Sequence, residues 1–167
     1  MFALIAICPL TAGSFTADDF TSGMSRGALV AIAASRSLEV WDIAAGSVAM
    51  GRRSELRVDG TFAFCEDGLY AYNHNVDFDV DYFQTVQKLL ADYGQPTKLA
   101  TELQSWVGPG GGYVRSVQLI WRRGDDRVTV NVAPEGRDGK GALRHNRHAS
   151  VSYLARSKCS AGQLAKP

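Results

Sequence analysis

The run Phe62-Ala63-Phe64-Cys65-Glu66-Asp67-Gly68-Leu69-Tyr70-Ala71-Tyr72 decides the fold class. Two short stretches rich in aromatic and small apolar residues flank Glu66-Asp67-Gly68, and Asp-Gly between such stretches is a β-hairpin signature. A helix follows. Asp81 stands at its expected N-cap with Gln84 three residues later, a variant of the capping box. Phe83, Val86, Leu89, Leu90 and Tyr93 then recur at helical spacing. Gly94 and Pro96 end it, since glycine accepts a left-handed exit and proline cannot continue a helix. A hairpin next to an amphipathic helix reads as α+β.

Working outward gives the same alternation. Upstream, Ser25 is placed to cap a helix over Arg26 to Ser35, with Leu29, Ile32 and Ala33 on one face. Strand-type sequence follows at Leu38 to Trp41, Ser47 to Met50 and Glu55 to Val58. Downstream, strands are expected at Leu103 to Val107, Tyr113 to Trp121, Arg127 to Val132 and His148 to Leu154, with a polar loop from Ala133 to Asn146. The expected fold is therefore α+β, two helices packed on antiparallel sheet. Helix-then-strands occurs twice at a spacing of about 58 residues, which suggests half-repeats over 20–75 and 76–156. One domain over 15–156 suits the length of 167 residues.

Residues 1–14 carry no charge and form a short apolar run, and Ala12-Gly13-Ser14 places small residues before Phe15. The run reads as a signal peptide and predicts a periplasmic or secreted protein; as a buried strand it would suit the cytoplasm instead. No other segment is long and apolar enough to span a membrane. Residues 157–167 are small and polar and read as a flexible tail. Cys65 and Cys159 have no metal-type spacing and form a disulfide candidate in an oxidising compartment. From residue 120 onward the chain carries ten Lys/Arg and four Asp/Glu, a balance of +6 against −5 before it. Such asymmetry can steer a partner or be self-complementary within the fold.

Gly23-Met24-Ser25, the helix ending Leu89-Leu90-Ala91-Asp92-Tyr93-Gly94-Gln95-Pro96 ahead of Trp106, and the Phe62–Tyr72 hairpin together resemble small envelope proteins of the β-lactamase-inhibitory-protein and SmpA/OmlA type. The resemblance runs over residues 20–155. It implies sheets backed by helices and a role in binding other proteins, without a cofactor. The chain differs in having Ser35-Arg36-Ser37 where that group has Gly-x-Pro, and in lacking a lipobox cysteine.

Several motifs suggest chemistry and are better explained otherwise. Gly23-Met24-Ser25-Arg26-Gly27 matches the nucleophile elbow G-x-S-x-G, with Asp125 or Asp126 and His145 or His148 in hydrolase order, but no strand leads into it. Asp77-Phe78-Asp79-Val80-Asp81 opens like a calcium loop, then places Tyr82 and Lys88 where glycine and glutamate are needed. His145 and His148 are three apart on extended sequence and face opposite sides, so they converge poorly on a metal. Gly108-Pro109-Gly110-Gly111-Gly112 lacks the Lys-Ser/Thr of a phosphate loop and reads as a hairpin tip. The basic residues Arg122, Arg123, Arg127, Arg137, Lys140, Arg144 and Arg147 have little aromatic interleaving, which disfavours nucleic acid. The expectation is a non-catalytic exported protein that binds another protein, as an inhibitor, immunity or assembly factor, with Trp41, Tyr70, Tyr72, Trp106 and Tyr113 as anchors. Core packing competes for the same aromatics. The alternative is a small serine hydrolase using Ser25 with a C-terminal histidine.

Overall fold

The computed structural model describes residues 15–66, 68–106, 112–137 and 143–160. The expected leader, most of the glycine-rich tip and residues 161–167 fall outside the described residues. Within them the chain order is β1 (Thr16–Ala17), β2 (Phe20–Thr21), α1 (Arg26–Ser35), β3 (Glu39–Ala44), β4 (Ser47–Arg52), a 3-10 turn at Arg53–Glu55, β5 (Arg57–Cys65) and β6 (Gly68–Val76). Then come α2 (Tyr82–Tyr93), β7 (Lys98–Trp106), β8 (Gly112–Arg123), β9 (Asp126–Ala133), β10 (Gly136–Arg137), β11 (Leu143–His145) and β12 (His148–Leu154). The fold is α+β and mostly strand.

Eight strands form one antiparallel sheet in the order β3-β4-β5-β6-β12-β9-β8-β7. Each helix thus precedes four strands that pair as neighbours, β3 to β6 and β7-β8-β9-β12. The last strand of each set, β6 and β12, pair with one another to join the sheet.

Register explains the core. Val48 lies opposite Phe62, Phe62 opposite Tyr72, Tyr72 opposite Tyr153, Tyr153 opposite Val128, and Val128 opposite Trp121. All six side chains are buried. Alternation along β9 and β12 puts Val128, Val130, Ala149 and Val151 on the same face. Leu29 and Ala33 of α1 and Leu89 of α2 bury themselves in this same core, so both helices lie against one face of the sheet. The β1–β2 hairpin closes it: the Phe20 ring stands 4.8 Å from both Phe62 and Tyr72, and Phe15 meets Tyr153 at 5.6 Å.

The first helix forms where its cap predicts, with Ser25 Oγ accepting from Ala28 N at 3.2 Å. The second differs in its start. Asp81 makes no side-chain cap; the Asp77 Oδ1 instead organises the turn ahead of the helix, accepting from the N–H groups of Asp79 and Val80 at 2.9 Å. The carboxylate that opens the calcium-like motif is therefore committed to a backbone turn. Phe83 also leaves the apolar stripe, being 70% exposed, because Tyr82, Val86, Leu89, Leu90 and Tyr93 already set the buried side and Phe83 is rotated off it. Gly94 ends the helix with φ +75°, as glycine allows.

The strand expected over Glu55 to Val58 is corrected. Leu56 adopts a left-handed φ of 53° and stands exposed, so pairing starts only at Arg57. The strand continues through Asp59-Gly60-Thr61 with Asp59 as the extra residue of a β-bulge, since Met50 faces Gly60 while Gly51 faces Val58. Gly60 does not mark a turn: a Cβ there would come within 3.0 Å of the Tyr72 ring. It is a place where an aromatic passes over bare backbone.

Cys65 ends β5 at disulfide-bonding distance from Cys159, with Cα atoms 5.9 Å apart. The first residues of the expected tail form a turn. Ser160 is fully buried and donates to Ala155 O at 2.8 Å, while its amide donates to Ser157 Oγ at 3.0 Å. Side-chain hydrogen bonds hold a polar turn where apolar contact could not. No helix among the described residues is long and apolar enough to cross a membrane.

Candidate functional site

Both helices lie against one face, and no helix among the described residues covers the other face of the sheet. One cross-strand row on it reads Ser47, Ala63, Ala71, Leu154, Arg127, Arg122. The next reads Ala49, Thr61, Asn73, Ser152, Thr129, Ile120. At the middle, where β6 meets β12, the residues are small. Their shortness leaves a hollow of about 280 Å³ over Ala63, Ala71, Asn73, Thr129 and Ser152, with Ile43 and Arg127 at its sides. Asn73 Nδ2 donates to Ser152 Oγ at 2.5 Å across the β6–β12 junction, which fixes two of the polar groups in its floor. The lining is rich in hydroxyl and amide groups, and Arg127 is its one charged member among the described residues.

The five aromatic candidates do not converge there. Tyr72 is corrected outright: it is 4% exposed and stacked against Phe62 and Tyr153, and burial pushes its phenol well above the usual range. A partner cannot reach it. Trp41 lies opposite Ala49 and so belongs to the hollow's face, half-buried beside the Ile43 rim. Tyr70 is the extra residue of a β-bulge, since Ala71 faces Ala63 while Leu69 faces Phe64. Trp106 and Tyr113 sit at the far end of the β7–β8 ladder, at the opposite edge from Trp41. Their side chains lie outside the described residues.

Sequence reasoning passed over the hollow's own residues because it looked for large anchors. The signal was in the alternation of β9 and β12, where Arg127, Thr129, Asn131 and Ser150, Ser152 interleave with valines and Tyr153. Such alternation marks a strand packed on one face and solvated on the other.

The fold sets Ser25 and His148 of the hydrolase alternative far apart. Ser25 is bridged to Gly68 at one end of β6, whereas His148 opens β12 beside Ala149, which pairs with Val76 at the other end. Nine residues of strand at ~3.3 Å each separate those ends by roughly 26 Å. Asp125 is held by Arg156 at 2.7 Å. Ser25→Ala is expected to cost about 1 kcal/mol as a lost helix cap and to leave any ester hydrolysis unchanged. Melting curves and turnover on an activated ester check both halves. A fall in turnover at unaltered melting would restore the serine as a nucleophile.

His74 sits on the helix-facing side of β6, with its ring centroid 5.0 Å from Tyr72 and 6.4 Å from Tyr153. Its Nε2 is buried and lacks a hydrogen-bond partner. Burial lowers its pKa below the usual 6.5, and the Asp18 carboxylate opposes that only in part. The folded protein therefore resists a proton that the unfolded chain accepts. Stability contributed by neutral His74 is complete above the unfolded pKa and is lost as pH falls through the window below it. Between about pH 7.5 and about pH 5.5 the melting temperature should fall, and His74→Phe, which does not titrate, should fall less. Equal falls in the two proteins would remove His74 as the cause.

No protein-family model, curated protein or solved structure matches the chain. Among the described residues no three of His, Cys, Asp and Glu come together as a metal site. The charge asymmetry is partly spent inside the fold: Arg147 pairs with Asp79 and lies 4.4 Å over the Phe78 ring, and Lys158 pairs with Glu66.

Proposed function

We propose that this is a non-catalytic, exported protein that binds another protein on the helix-free face of its sheet, in the manner of an inhibitor, immunity or assembly factor. The observation that carries the reading is the hollow over β6 and β12, framed by Ile43 on one side and Arg127 on the other. An antiparallel sheet can leave one face to solvent, and a hollow on such a face is accessible to a partner. Here both helices are spent on the opposite face. The helix-plus-four-strand units are read as tandem half-repeats, which places the hollow at their junction. Export is supported by the Cys65–Cys159 pair, because such bonds persist in oxidising compartments.

Immobilised full-length protein, incubated with envelope extract, should retain a specific protein. Ala71→Trp, which fills the hollow from a residue already on its floor, should abolish retention while the protein keeps its circular dichroism. Retention undiminished by Ala71→Trp, and equally undiminished by Thr129→Trp on the neighbouring row, would move the binding surface elsewhere.

A further inference from the structure

We infer that the hollow receives an acidic side chain of the partner protein, Asp or Glu, and that Arg127 is the residue that selects it. This rests on the protein-binding reading above. The hollow holds Arg127 as its sole charge among the described lining residues, and no carboxylate stands among them. The rest of its polar surface comes from Ser47, Thr61, Asn73, Thr129 and Ser152. Four of these carry hydroxyls that can turn to donate to a carboxylate oxygen, and the donor-only guanidinium beside them favours an anion over a cation.

The placement of Arg127 adds to this. It is half-buried, opposite Leu154 on one side and Arg122 on the other. Burial first, and then the Arg122 charge beside it, disfavour its ionised form, so an arriving negative charge gains more there than at an exposed arginine. A guanidinium has five N–H donors and accepts a carboxylate in addition to its existing contacts. About 280 Å³ admits one side chain and its local backbone rather than a helix. The occupant is therefore the tip of a loop on the partner, with its carboxylate against Arg127 and its backbone beside Ile43.

The test uses the full-length, isotope-labelled protein and three capped tripeptides, acetyl-Gly-Glu-Gly-amide and its Gln and Lys counterparts. The Glu peptide should shift the amide signals of Thr61, Asn73, Thr129 and Ser152 in a saturable manner, and the Gln and Lys peptides should not. Arg127→Gln should weaken the Glu peptide by about tenfold or more, as expected when a charge-assisted contact is lost. Equal binding of the Glu and Gln peptides, or of the Glu peptide to wild type and Arg127→Gln, overturns the inference. Free glutarate binding more tightly than the peptide also overturns it, by putting a small dicarboxylate in place of a protein side chain. A protein from envelope extract that is retained by Arg127→Gln but lost on Ala71→Trp would sink the charge selection and leave the protein-binding reading standing.

Discussion

Trp121→Ala is expected to destabilise the protein by about 3–5 kcal/mol, the range for removing a large aromatic from a packed core. Trp121 is 1% exposed on β8, at the end of the cross-strand row that begins at Val48. Its Nε1 donates to Gly94 O at 2.8 Å, tying the C-terminus of α2 to the sheet. That one side chain therefore loses both core volume and the anchorage of a helix end. Trp121→Phe keeps much of the ring and loses the N–H; Gly94 is exposed and its carbonyl can turn to water, so this variant should cost clearly less. Phe83→Ala serves as the comparison: at 70% exposure it should stay within about 0.5 kcal/mol of wild type. Urea unfolding followed by circular dichroism measures all three. A cost below about 1 kcal/mol for Trp121→Ala would mean that the cavity collapses or that α2 does not depend on this contact.

The elements legible in the sequence were those whose signals are local. The first helix is set by the Ser25 cap and by Leu29, Ile32 and Ala33 on one face, and it forms over Arg26–Ser35 as expected. The hairpin around Glu66 and Gly68 and the last strand, His148–Leu154, follow from turn chemistry and period-two alternation. What local signals could not carry was the placement of Gly60 under the Tyr72 ring, because that depends on a residue on another strand. The same holds for the site. Tyr72 and Trp41 are both aromatics on strands, and only the sheet order tells that one faces the helices and the other the open side. Arg127, Thr129 and Ser152 become a site through register among β9, β12, β6 and β5, which brings together residues from positions 61 to 154.

Reducing the Cys65–Cys159 bond, or replacing both residues by serine, is expected to lower stability by about 4 kcal/mol, from the chain-entropy cost of opening so long a loop. The two residues are 94 apart in sequence, so the bond restricts most of the unfolded chain. In the folded state it joins the end of β5, in the first helix-plus-strands unit, to the turn after β12, in the second. The Lys158–Glu66 ion pair spans the same junction, but both side chains are more than half exposed and such pairs contribute little. The bond is thus the principal tie of that turn, helped by Ser160, whose hydrogen bonds to Ala155 and Ser157 are local and cannot by themselves hold it to β5. Urea unfolding with and without reductant should show the midpoint fall on reduction, with the doubly substituted protein matching the reduced one and not responding further. Thiol titration of denatured, unreduced protein recovered from an oxidising compartment should find neither Cys65 nor Cys159 free. Two free thiols at those positions in protein taken from its native location would remove the bond from the working molecule and, with it, the main support for export.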